Sequence, residues 1–243
     1  MFAWSTNRGR TCTPRLMSSS SNLSSTPAWY RAPLTWGIVL VVLHAVGAVG
    51  VALGHADLLL PFTPLNLLIC AAIVMSFTGD ESPWRWSLTM FLGFGVEVLG
   101  VATGLLFGDY SYGRGLGPLV LDVPLLMGVL WWLLLLGSHH LSERVLSRGG
   151  KTVSPWLRAA AAATLMTALD GMIEPVAIRA GWWTWHAGFI PWTNYLTWWV
   201  AAFGLGMLWR DVDDLKTNRL SGLLLLVFAG FFAALNFLPW TLT

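Results

Sequence analysis

The chain has 243 residues and a formal net charge of +2, with 56% hydrophobic and only 11% charged residues, and its mean hydropathy is +0.64. Ordinary soluble domains carry about a quarter charged residues, so this balance excludes a water-soluble fold and makes lipid the natural solvent. The small net charge, with Lys and Arg held in short stretches between apolar runs, also excludes a nucleic-acid surface, and no nucleic-acid partner is expected.

Residues 1–32 are rich in Ser, Thr, Asn and Arg and have no apolar stretch long enough for a signal-peptide core, which predicts a flexible basic tail. Residues 33–243 then read as a single transmembrane helical domain. Apolar runs recur at 34–54, 60–78, 86–106, 119–138, 156–178, 193–209 and 220–238, each near the ~20 residues a helix needs to cross hydrocarbon. Lipid offers no partners to backbone N–H and C=O groups, so runs of this length are helices and the predicted fold is all-α, a polytopic bundle of about seven spans. Cys12 falls in the tail and Cys70 in the second run, so neither a disulfide between them nor a redox or metal role is expected.

Cation placement orients the bundle. With the N-terminus inside, the inner segments carry Arg8, Arg10, Arg15, Arg31, Arg85, Arg144, Arg148, Lys151, Arg158, Arg210, Lys216 and Arg219, leaving Arg114 and Arg179 outside. The expectation is an integral protein of a bacterial plasma membrane, N-terminus cytoplasmic and C-terminus outside. Gly50 with Gly54 and Gly100 with Gly104 have the spacing that lets membrane helices approach closely. No internal repeat of the kind that builds transporters from duplicated halves is visible.

An ionisable residue inside a span is costly and is by default a functional candidate. Glu97 lies in the third run (GFGVEVLGVATG), and Asp170 and Glu174 lie in the fifth (TALDGMIEPVA). Asp170 and Glu174, four apart, share one helix face and are placed to share a proton. Glu97 and Asp170 each precede the outer end of their run by about nine residues, or ~13 Å at helical rise, so they sit at one depth. Asn66 and Asn194 fall in the same outer half, either as site residues or as helix caps. The outer loops FGDYSYGRGLGP and AGWWTWHAGFIPWTN are dense in aromatics, Gly and Pro and are placed to roof a cavity over the carboxyls. The Trp182, Trp183, Trp185 and Trp192 cluster also suits an interfacial aromatic belt. Arg179 is placed to snorkel or to pair with Glu174.

The histidines, His44, His55, His139, His140 and His186, lack the repeated boxes that a membrane di-iron oxygenase needs, and adjacent His139 and His140 read as an interfacial pair. The Gly113, Gly115 and Gly117 run is a loop, not a nucleotide-binding turn. No metal and no cofactor is expected. Paired carboxyls in an apolar site leave protonation, hydration, isomerisation or cyclisation open.

The segments VEVLGVATGLLFGDYSYGRGLGP, DVPLLMGVLWW, ALDGMIEPVAIRAGWWTW and IPWTNYLTWW, from about Phe91 to Trp199, resemble the membrane carotenoid biosynthesis family that includes hydratases acting on gamma-carotene and on bisanhydrobacterioruberin. Glu97, Tyr110, Tyr112, Pro124, Asp170, Glu174, Pro175, Asn194 and Trp198 match its pattern. Ile190 before Pro191, and Tyr195 and Thr197 where the family carries Asn-Phe-x-Gly-Trp, depart from it. The resemblance implies addition of water to the terminal double bond of an acyclic carotenoid end. Asp170 is then the first choice as acid, with Glu97 or Glu174 as base. Tyr110, Tyr112, Asn66, Asn194, Trp182, Trp185 and Trp198 are the candidate substrate-binding residues. The implied partners are a lipophilic carotenoid, water, the lipid bilayer and other carotenoid biosynthesis enzymes. Two alternatives are a proton-linked lipid or small-molecule transporter and a non-catalytic carotenoid-binding subunit.

The orientation is testable by cysteine labelling with an impermeant reagent. His186→Cys is expected to label in intact cells, and Arg148→Cys only after permeabilisation; the reverse pattern overturns the assignment.

Overall fold

The computed structural model describes residues 32–78, 83–148, 152–209 and 218–242. The basic tail up to Arg31, with Cys12, and Lys151, Arg210 and Lys216 of the orientation argument, lie outside the described residues. The architecture is all-α with two small two-stranded sheets.

Helix α1 (Pro33–Ala52) starts on a proline, whose missing N–H costs nothing in a first turn. A turn at Gly54 leads into α2 (Ala56–Leu59), which continues through a 3-10 turn into α3 (Thr63–Ser76). Next come α4 (Pro83–Thr103), α5 (Leu126–Leu146), α6 (Pro155–Arg179), α7 (Trp192–Gly206) and α8 (Arg219–Phe237). Taking Ala56–Ser76 as one helix, seven helices stand where seven runs were expected. Five of them, 33–52, 56–76, 83–103, 155–179 and 219–237, are long and apolar enough to cross a membrane.

The exceptions have physical reasons. Helix α5 packs against α3, α4, α6, α7 and α8, and it is buried along most of its length. Protein surrounds it, so its last two turns can carry Ser138, His139, His140, Ser142 and Glu143. Its start is also displaced from the expected 119. Residues 119–124 instead form a hairpin, β2 (Leu119–Val120) against β3 (Val123–Pro124), turned by Leu121 and Asp122 at φ of 52° and 62°. Two central residues at positive φ are the geometry of a tight two-residue hairpin. Apolar residues run unbroken from hairpin into helix, which hid the boundary. Helix α7 is 15 residues, extended by a 3-10 turn to Trp209.

Two further strands join the outer loops: β1 (Tyr110–Tyr112) pairs antiparallel with β4 (Trp183–Trp185), with Tyr110 opposite Trp185 and Tyr112 opposite Trp183. Strand side chains alternate between faces, so both tyrosines and both tryptophans share one face while Ser111 and Thr184 take the other.

Several sequence readings are corrected. His139 and His140 are 1% and 4% exposed, not interfacial; they lie near the buried Glu143–Arg158 ion pair, 3.0 Å long, that ties α5 to α6. Trp182, Trp183 and Trp185 are buried, and of the expected belt Trp192 alone is exposed. Arg179 donates to the Leu235 carbonyl and stacks over Trp240 rather than pairing with Glu174. Gly50 and Gly100 make room for the Leu59 and Phe107 side chains rather than for another helix backbone, and Gly54 and Gly104 adopt positive φ in turns.

Close backbone approach occurs instead at Gly128, where a Cβ would fall 2.6 Å from the Met90 carbonyl oxygen of α4, whereas a Cβ on Gly95 meets nothing within 4 Å. Gly128→Ala is therefore expected to lower stability by about 1–3 kcal/mol, the usual cost of overpacking, while Gly95→Ala leaves it unchanged or raises it through helix propensity. Thermal unfolding in detergent checks this; equal effects would contradict the α4–α5 contact.

Candidate active site

The buried stripe of α4 is Thr89, Gly93, Glu97 and Gly100, while Phe91 and Leu99 point outward. The helix thus turns its small and polar face to the protein and its bulk to the surroundings, as a membrane helix does. Gly93 lets the Trp131 ring of α5 lie against α4, and that ring reaches the carboxyl group one turn further on. Glu97, 2% exposed, accepts from Trp131 Nε1 at 2.8 Å on Oε1, and from the Tyr110 and Tyr112 hydroxyls, both at 2.7 Å, on Oε2. Burial pushes both phenols up, with the neighbouring Glu97 charge adding to it, so each keeps its proton and remains a donor.

Helix α6 presents Asp170 and Glu174, 1% and 2% exposed, one turn apart. Glu174 accepts from Trp183 and Trp185 Nε1, both at 2.9 Å on Oε2, and from Asn194 Nδ2 at 3.0 Å on Oε1. Asp170 accepts from the same Asn194 amide at 3.1 Å. Asn194 lies in the first turn of α7 with its side chain turned to the carboxyls rather than capping the helix. Pro175, inside α6, has no N–H to offer the carbonyl one turn back. The β1–β4 pair therefore supplies four of the donors, two to each glutamate.

The three carboxyls surround one small chamber of about 20 Å³, walled by Phe107, Tyr110, Tyr112, Met127, Trp183, Trp185, Asn194 and Trp198. Trp198 stacks on Trp131 with ring centroids 4.3 Å apart, and Tyr110 lies 5.0 Å from Trp185. Aromatic faces and indole N–H groups thus enclose the carboxyls. Among the described residues no cluster of His, Cys, Asp and Glu has metal-ligand geometry.

Of the residues singled out in the sequence, Glu97, Asp170, Glu174, Tyr110, Tyr112, Asn194, Trp185 and Trp198 meet at this chamber. Asn66 and Trp182 do not. Asn66 donates to His44 Nε2 at 3.2 Å, inside α3 and away from any cap position, and both residues line a neighbouring cavity. Equal depth put Asn66 with the carboxyls; its side chain meets His44 of α1 instead. Trp131, Trp183, Phe107 and Met127 were not foreseen. The alternation Tyr-Ser-Tyr and Trp-Thr-Trp at 110–112 and 183–185 was the available signal, a period of two in an otherwise helical chain.

Residues 62–242 match the carotenoid biosynthesis protein family. The chain belongs to that family. This carotenoid biosynthesis protein is also 31% identical over 120 residues to a bisanhydrobacterioruberin hydratase of Haloarcula japonica, an alignment covering 48% of this chain and 40% of that protein. It thus matches less than half of the relative's length. No solved structure matches the chain.

Removing one donor from a buried ionised carboxylate costs about 1.5–3 kcal/mol. Tyr110→Phe and Trp131→Phe are each expected to destabilise the carotenoid biosynthesis protein by that amount. Ser111→Ala, on the outward face of the same strand, is expected to be neutral. Thermal unfolding of the three variants checks it, and equal stabilities would contradict the network around Glu97.

Proposed function

We propose that the chain is a carotenoid hydratase, adding water to the terminal double bond of an acyclic carotenoid end to give a tertiary alcohol. The observation that carries this reading is the unequal share of donors among three carboxyls in one apolar chamber. Among the described residues Glu97 takes three donors, Glu174 three and Asp170 one. An ionised carboxylate is acceptor-only and is satisfied by such donors, whereas a protonated one needs a free oxygen for its hydrogen. That pattern supports a proton on Asp170. The hydratase name of the relative points the same way.

Asp170 gives its proton to the CH carbon of the terminal double bond, forming a C–H bond and leaving a tertiary carbocation on the dimethyl carbon. The faces of Tyr110, Trp185 and Trp198 and the fixed charge of Glu97 stabilise that cation. Water adds to the cationic carbon and loses its proton to Glu174, which sits one helical turn from Asp170 and shares Asn194 with it. Return of the proton from Glu174 to Asp170 completes the cycle. The site then lies towards the outer face of a bacterial plasma membrane, with the carotenoid arriving from, and leaving to, other carotenoid-modifying enzymes in the same bilayer.

A proton-linked transporter needs a polar path across the membrane. The buried face of α6 between Arg158 and Asp170 is Ala159, Ala162, Ala163, Met166 and Leu169, an apolar slab between the chamber and the inner polar layer. A non-catalytic binding subunit would have no use for three carboxyls at one point, since hydrocarbon recognition needs none.

Asp170→Asn keeps size and hydrogen bonding but removes the transferable proton. In a host making an acyclic carotenoid, it and Glu174→Gln are each expected to lower hydrated product by ~10²-fold or more at normal protein level. Full activity in both amides would leave the carboxyls structural. Growth of the wild type in oxygen-18 water is expected to label the new hydroxyl; label from molecular oxygen instead would overturn hydration.

A further inference from the structure

The chamber around the carboxyls, about 20 Å³, is far smaller than the roughly 300–1,000 Å³ of ordinary ligand pockets. It has room for about one water, so the reacting end of a long substrate enters only where a wall side chain swings aside. A second, apolar cavity of about 60 Å³ shares the wall residue Trp183 with it. Trp183 donates its indole N–H to Glu174 while its side chain also lines this second cavity. That cavity in turn shares His44, Thr63, Asn66 and Phe231 with a groove of about 270 Å³ between α1 and α3. The outer lip of the groove is made by apolar side chains, among them Val46 and Leu65, that are 61% and 54% exposed on two candidate spans. Three spaces thus lie in series from the lipid-facing surface to the carboxyls.

At the junction of groove and inner cavity sits a polar pair that the chemistry above does not use. His44 Nδ1 donates to the Leu40 carbonyl at 2.8 Å, which leaves Nε2 as acceptor for the Asn66 amide at 3.2 Å. Phe228 and Phe231 flank the imidazole, with ring centroids 5.3 and 5.5 Å away. The pair satisfies itself as a neutral unit, so hydrocarbon can pass it without stranding a charge.

From this series we infer that the substrate enters sideways from the bilayer between α1 and α3. Its polyene chain stays in the groove and inner cavity, past the His44–Asn66 pair, while its terminal unit reaches the carboxyls beyond Trp183. The occupant rests on the hydratase reading, because the chamber at the end of the series is where the alkene reacts. A second lipid has no reason to follow a path that ends on three carboxyls. Trp183, common to both inner spaces, is the gate.

The test uses the full chain purified from membranes, with lycopene as the probe, and reads retained visible absorbance and quenching of tryptophan emission. Gly47 lines the groove, and a Cβ there would already stand 3.4 Å from Phe231; Gly47→Phe therefore fills it. Leu65→Trp fills it from the opposite wall and serves if the first variant folds poorly. Gly204→Phe, on an exposed glycine of α7 with nothing within 4 Å, is the control. Retention is expected to fall about tenfold or more in the groove variants and to stay at wild-type level in Gly204→Phe and in Asp170→Asn. Wild-type retention in both groove variants, or no retention by the wild type, overturns the path. Groove-dependent retention without any hydrated product upholds the path and refutes the hydratase reading.

Discussion

A carboxyl group withdrawn from water must either be met by hydrogen-bond donors or keep its proton, and this protein withdraws three of them into one chamber. Ionising all three would set like charges against each other in a low-dielectric space, with no cation among the chamber's lining residues to offset them. The distribution of donors supports the proposed division of charge among them. Glu97 and Glu174 each sit at the focus of three N–H or O–H groups, and Asp170 is left with a single amide. Much of the surrounding architecture serves that distribution.

The acids come from α4 and α6, whereas four of the donors come from the β1–β4 pair. The pairing also satisfies the strands' backbone groups mutually. The same alternation aims Tyr110, Tyr112, Trp183 and Trp185 inward together. Helix α5 forms the opposite wall and lends Trp131, which reaches Glu97 because Gly93 leaves space for its ring. The second buried polar layer, Glu143 with Arg158, ties α5 to α6. Apolar residues on the buried face of α6 separate it from the chamber.

The helices were legible in the sequence because apolar length is decisive in lipid, and the acids were legible because charge there is rare. Glu97, Asp170, Glu174 and Asn194 stood out for that reason. Trp131 and Trp183 did not, since an indole looks the same in a sequence whether it faces lipid or donates to a carboxylate. Depth alone misplaced Asn66: two residues at one height on different helices meet only if both faces turn inward, and α3 turns Asn66 to His44. The start of α5 was hidden because hairpin and helix are both built largely from apolar residues. His139 and His140 passed for interfacial because hydropathy cannot tell a helix end in water from one enclosed by five others.

On the proposed reading the chamber holds one proton, on Asp170, between two carboxylates. Infrared difference spectroscopy of the purified chain in lipid, on exchange into deuterated water, reads this directly through the C=O stretch of a protonated carboxyl. The account predicts one such band from the chamber, absent in Asp170→Asn and retained in Glu97→Gln and Glu174→Gln. A band that survives Asp170→Asn and vanishes with either glutamate would contradict it.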